Sequence, residues 1–139
     1  MRPVEGDAVQ LCRFAYERYS AGDFDGLLDL FDDDVEVYVA PPNFESGTYT
    51  GHAEYRALLE RWAASWDEMR ITPQRLEPVG EWILAEVEYV GCGKESGVEI
   101  AQPSWELSLW QDGRCTRYEV YWDQERGEKA FRKRISASA

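Results

Sequence analysis

The sequence predicts an α+β domain in which a curved antiparallel sheet wraps over three N-terminal helices and a short helix closes the chain. Two observations carry this expectation. Apolar residues recur at helical spacing in three segments before residue 67, and from Met69 to Trp122 the pattern changes to strands broken by glycine turns. A chain of 139 residues is of ordinary single-domain size, so residues 1–139 are read as one domain around one core. Long strands with helices grouped to one side lead a sheet to curl over those helices.

Each element has its own warrant. Between Glu5 and Ser20, the positions Ala8, Leu11, Cys12, Ala15 and Tyr19 share a helix face, and Gly22 ends the helix. Asp23 suits an N-cap for a second helix over 24–31, with Phe24, Leu27, Leu28 and Phe31 as its buried stripe. After the acidic turn Asp32–Asp34 the period becomes two, and Val35, Val37 and Val39 mark a half-buried strand. Pro41 and Pro42 end that strand and open a loop that runs to Gly51. Tyr55, Leu58, Leu59, Trp62, Ala63 and Trp66 form one face of a third helix, 52–66. Strands are predicted over 69–78, 81–91, 97–110 and 114–122, turned by Gly80, by 91–97 and by Asp112-Gly113. Asp123 can cap an amphipathic helix reaching about Arg134.

Composition narrows the partners. The net charge of −12 repels phosphate backbones and anionic membranes, so neither nucleic acid nor membrane is expected. Five bases near the end (Arg126, Lys129, Arg132, Lys133 and Arg134) read as late helix positions, which favour positive charge. The three cysteines, Cys12, Cys92 and Cys115, lack paired spacing, which suits buried thiols in a reducing, cytoplasmic compartment. No basic-then-apolar leader and no membrane-length apolar run stands in the sequence. One histidine and scattered acids form no metal-ligand spacing, and no glycine-rich phosphate loop is present, so no metal and no cofactor are expected. His52, beside a loop at a helix start, reads as a surface or cap residue. Six Trp, eight Tyr and five Phe are rich for this length; such faces usually fill a core, and an excess beyond what a small core needs often lines a ligand cavity.

Several segments carry a family resemblance. Ser20-Ala21-Gly22-Asp23-Phe24-Asp25 followed by Leu30-Phe31-Asp32-Asp33-Asp34-Val35-Glu36 resembles the opening of SnoaL-like proteins. Gly47-Thr48-Tyr49-Thr50-Gly51 is similar too, as are Asp112-Gly113-Arg114 and Tyr118-Glu119-Val120-Tyr121-Trp122-Asp123. The resemblance implies the cone-shaped fold of the nuclear-transport-factor-2-like superfamily, with a deep pocket between sheet and helices. It further implies where chemistry would sit. The Tyr, Asp and second acid of ketosteroid isomerases of this fold correspond to Ala15, Val39 and Glu106. The catalytic Asp of SnoaL-type cyclases corresponds to Val120. Epoxide hydrolases of the fold place an Arg two residues before an Asp, where Ser104 precedes Glu106 here.

Glu106 is thus the candidate catalytic acid or base, with Tyr118 as its candidate partner. Either Tyr118 or Tyr16 could present a phenol proton to a ligand carbonyl. Two readings of the strand compete. Alternation of Trp105, Leu107 and Leu109 with Ser104, Glu106 and Ser108 puts the polar set in solvent. The resemblance puts it in the pocket, leaving Trp105, Leu107, Leu109 and Leu84 as a stripe to bury against a second copy in a homodimer. Inward positions on the other strands are Ile83, Ala85, Val87 and Tyr89, then Tyr118, Val120 and Trp122. The expected ligand-binding set is therefore Tyr16, Val37, Val39, Trp62, Ile83, Ala85, Val87, Ser104, Ser108, Val120 and Trp122. Glu119 should pair with an arginine on the outer face. The partner implied is a small apolar molecule, either turned over by proton transfer or simply held.

Overall fold

The computed structural model describes residues 5–138, so residues 1–4 and 139 of the expected domain lie outside it. Helix α1 (Glu5–Ser20) leads through Gly22, at φ +73°, into the five-residue α2 (Phe24–Leu28). The carboxylate of Asp23 caps α2 by accepting from the Gly26 amide at 2.9 Å. Strand β1 (Phe31–Val39) follows, then β2 (Gly47–Thr50), α3 (Gly51–Ser65) and β3 (Trp66–Val79). The chain continues through β4 (Trp82–Gly93), β5 (Glu99–Gln111), β6 (Arg114–Tyr121) and α4 (Gln124–Ser138).

Four boundaries differ from those the pattern predicts. Helix α2 stops at Leu28, and Phe31 reaches the core from the first position of β1 instead. Strand β1 therefore takes in the acidic turn, with Asp33 and Asp34 facing solvent. The expected loop 41–51 contains β2, which pairs with β1 from Val39↔Gly47 to Glu36↔Thr50. Trp66 begins β3 rather than ending α3.

The six strands form one sheet in the order β2-β1-β6-β5-β4-β3, antiparallel throughout except where β1 runs parallel to β6. Asp112 and Gly113, at φ +52° and +81°, make the tight turn from β5 to β6, the conformation that Asp-Gly adopts most readily. Inside the curl, α1, α2 and α3 pack on the concave face in a cluster that includes Tyr19, Leu27, Val35, Leu58, Ile83 and Val120. None of the described helices is long and apolar enough to cross a membrane.

The convex face is also covered. Helix α4 lies over Trp82, Leu84 and Leu107 and packs Phe131 among them, with Trp105, Leu109, Tyr121, Ala130 and Ile135 around the margin. Leu107 is wholly buried and Leu84 nearly so. The apolar stripe expected to bury against a second copy thus finds its partner within the chain, and it gives no ground for a dimer. Asp123 caps α4 through the Arg126 amide at 2.9 Å. The helix runs four residues past Arg134, so its bases sit along its length rather than in a final turn. Arg134 is instead a clasp: its Nε is 2.9 Å from the buried Glu119 carboxylate, which also takes Arg117 at 2.5 Å and the Tyr121 hydroxyl at 2.6 Å.

Candidate functional site

On β5, Ser104, Glu106 and Ser108 all point to the concave side and are buried. Register fixes their neighbours: Glu106 lies between Ala85 of β4 and Val120 of β6, while Ser108 lies between Ile83 and Tyr118. Helix α1 crosses this face and brings Tyr16 down onto the same point. The result is a carboxyl group ringed by hydroxyls. Tyr16 donates to Oε1 at 2.9 Å and Tyr118 donates to the same oxygen. Tyr89 donates to Oε2 at 2.6 Å, and Ser104 Oγ stands 2.9 Å from that oxygen and 3.1 Å from the Tyr121 carbonyl. Each carboxyl oxygen therefore has two hydroxyl partners, and no arginine, lysine or histidine among the described residues bonds to it.

The electrostatics follow from that shell. Burial raises the Glu106 pKa, and the hydroxyls of Tyr118, Tyr89, Tyr16 and Ser104 offset only part of the rise. The phenols of Tyr16, Tyr89 and Tyr118 are pushed well above the usual range, first by burial and then by the nearby Glu106 charge. They stay protonated at neutral pH and act as donors. Cys12, whose Sγ is 3.9 Å from Ser108 Oγ, is pushed up to about 12 by burial, so its thiol is unreactive. Cys115 is buried likewise, whereas Cys92 is only half-buried.

A shallow opening of about 430 Å³ touches the cluster at Tyr16, beside Arg13 and Glu17, and two further spaces meet at Tyr89. An inner cavity of about 30 Å³ is bordered by Tyr16, Tyr55, Ser108, Trp110 and Tyr118. That is room for water and not for an organic ligand. A vestibule of about 740 Å³ opens outward, bordered by Trp62, Trp66, Met69, Gln102, Trp122 and Asp123. Its size falls within the ordinary range of small-molecule sites. Tyr19, Trp62 and Tyr89 border both spaces and so form the partition between them. Tyr89 is the centre of that partition, with ring centroids 5.8 Å from Trp122, 6.3 Å from Trp62 and 6.4 Å from Tyr19. The Trp122 indole is pinned by donating to the Ala40 carbonyl at 2.9 Å.

The structure gathers some of the sequence-predicted residues and separates others. Glu106, Tyr118, Tyr16 and Ser104 meet directly, Ser108 borders the inner cavity, and Trp62 and Trp122 border the vestibule. Val37, Val39, Ile83, Ala85, Val87 and Val120 border neither space: each is at most 1% exposed and packs in the core. The aromatic side chains of the same cluster extend further and line the openings in their place. Glu106 itself borders neither space, because the three tyrosines stand in front of it. His52 is half-buried and its Nε2 is 2.8 Å from the Phe31 carbonyl, tying the start of α3 to β1. Sequence reasoning read Tyr89 as inward-facing without placing it in the ligand-binding set, and it missed Tyr19 and Trp66 as site residues. The parity of Val87 and Tyr89 on one strand, and the three-residue spacing of Tyr16 and Tyr19 on one helix face, carried the signal for two of them.

A curled sheet over three helices is the fold of a class of solved proteins described as NTF2-like, to which this chain is similar. Within that class the chain belongs to the SnoaL-like domain family, whose profile matches residues 13–118. No curated protein matches in sequence. Among solved structures, an NTF2-like protein of unknown function from Burkholderia pseudomallei K96243 is 22% identical over 91% of this chain and 95% of its own, with a TM-score of 0.76. A protein of ketosteroid isomerase-like fold from Catenulispora acidiphila DSM 44928, in complex with trimethylamine, is 18% identical over 81% and 85%, at 0.73. TerC, co-crystallised with polyporic acid, is 20% identical over 94% and 98%, at 0.76. At these identities the likeness is one of fold.

Proposed function

We propose that this SnoaL-like domain takes a small, flat, mostly apolar molecule into its vestibule and presents a tyrosine hydroxyl to a carbonyl or phenolic oxygen of that molecule. The observation that carries the reading is the continuity of the site. Tyr89 forms part of the vestibule wall with its ring and bonds Glu106 with its hydroxyl. Rotation of Trp62 would join the two spaces and let a ligand edge reach Tyr118 and Tyr16. In relatives of this fold, polyporic acid and trimethylamine have been captured, which agrees with a small-molecule site.

The roles follow from the proton inventory. Glu106, with a raised pKa, holds three donor phenols in place and can replace a proton that a phenol passes to a ligand. A carbonyl polarised in this way loses an α-proton more readily, which is the common step of cofactor-free isomerisation, cyclisation and elimination. The saturated hydrogen-bonding of Glu106 favours a second reading: a domain that binds the same molecule without turning it over.

One experiment separates the two. Aromatic ketones with enolisable protons are titrated against the protein by tryptophan fluorescence, and α-proton exchange in D2O is followed by NMR. Saturable binding with exchange lost in Tyr118→Phe and Glu106→Gln supports the enzyme. Binding without exchange supports the binding domain. If no member of a broad aromatic series binds, the vestibule is not a ligand site.

A further inference from the structure

The vestibule has more aromatic surface and less positive charge than an uncharged ligand requires. Among the described residues, five rings border it, those of Tyr19, Trp62, Trp66, Tyr89 and Trp122, and no lysine or arginine does. Ring faces carry negative electrostatic potential and attract cations. Tyr89 donates its phenolic proton to Glu106 at 2.6 Å, which shifts electron density into its ring. Among the described residues, the one formally charged side chain on the vestibule wall is Asp123. Its partner Arg126 pairs with Oδ2 at 3.2 Å, donates to the Pro41 carbonyl at 2.9 Å and does not itself border the opening. The chain as a whole carries −12, a field that concentrates cations and repels anions.

We infer that the vestibule selects an organic cation: an aromatic or otherwise apolar body bearing an alkylated ammonium group. The inference rests on the vestibule being the ligand site and adds the class of molecule it takes. Alkylated ammonium suits this cleft better than a primary amine or guanidinium. It sheds water at little cost and needs no directed hydrogen-bond acceptors, while the cleft offers ring faces and one carboxylate. The ring oxygen of such a molecule would point inward to the tyrosines and its ammonium would lie between Trp66, Trp122 and Asp123.

The test uses an isosteric pair, 4-(trimethylammonio)phenol and 4-tert-butylphenol, which differ in charge and hardly in shape. Each is titrated into the full-length protein at low salt by calorimetry and tryptophan fluorescence. The cation is expected to bind at least about tenfold more tightly, a preference within reach of a few cation–π contacts. That preference should shrink severalfold in Trp66→Leu and in Asp123→Asn, the latter retaining an N-cap for α4. Equal or tighter binding of 4-tert-butylphenol would overturn the cation inference and leave the vestibule as a site for neutral ligands. Failure of both compounds to bind would overturn the inference and the ligand site together.

Discussion

Glu106 keeps its proton to higher pH in the folded chain than in the unfolded one, because burial disfavours its charged form more than the surrounding hydroxyls favour it. A raised pKa has a definite sign in the stability curve. The stabilisation is fully present below the unfolded value of 4.5 and is lost as pH rises through the raised folded value. Urea unfolding of wild type and Glu106→Gln from pH 4 to 8 should therefore show the wild type losing ground steadily to the variant. Parallel curves would mean that the carboxyl does not titrate with folding. Glu119 behaves oppositely. Burial alone would raise its pKa, but the Tyr121 hydroxyl and two guanidiniums outweigh that and lower it, so its contribution is lost as pH falls. The two acids also show how far single residues were legible. Glu119 was read correctly as an arginine partner. The direction of Glu106 was undecidable from alternation, because β5 is buried on both faces and neither parity marks solvent.

Helices are the scale at which the sequence was read best in type and least well in contact. The amphipathic pattern of α4 was plain, and so was the apolar stripe of β5. Nothing in either segment says that they face one another, since a second copy offers the same burial. Gly127 is where the contact becomes specific. A Cβ built there would lie 2.4 Å from Trp105 Cβ, so the helix approaches the sheet closely only because this position has no side chain. Replacing Gly127 by Ala would gain up to about 1 kcal/mol of helix propensity. Overpacking against Trp105 should cost about 1–3 kcal/mol and prevail. We expect Gly127→Ala to lower the melting temperature by several degrees and to alter the near-UV signal of the tryptophans. An unchanged or higher melting temperature would show that α4 can slide to make room. The α2 boundary failed for a related reason: Phe31 fits a helical stripe and a strand equally, and the pairing of β1 with β6 decides between them.

For the molecule as a whole, two apolar layers meet one sheet, and the outer layer is a single helix. Removing residues 124–139 would expose Trp82, Leu84, Trp105, Leu107 and Leu109 in one contiguous patch. Patches of that kind drive association. Sedimentation velocity at micromolar concentration should show the truncated chain self-associating, whatever the state of the intact one. A truncated chain that sediments as the intact one does would mean that the sheet's outer face is less sticky than its composition suggests. A sheet curled over helices was legible from element order, and the cone was implied by the SnoaL-like resemblance. The capped outer face was not, because it depends on a long-range choice between two equivalent partners.

The parallel pairing of β1 with β6 has a consequence for the order of events during synthesis. Val37 sits opposite Tyr118, ~80 positions later in the chain, and this pairing joins the β2-β1 edge to the other four strands of the sheet. Before β6 leaves the ribosome, β1 has only the four-residue β2 to pair with. Two strands alone are marginal in water. Strand β1 must therefore wait for its second neighbour until nearly the last strand arrives to close the sheet. Closing so long a loop slows folding, and nascent chains stalled before residue 114 should remain protease-sensitive from β1 onward, gaining protection together once β6 and α4 emerge. Early protection of β1 in a chain stalled at residue 113 would show that another element shelters it first.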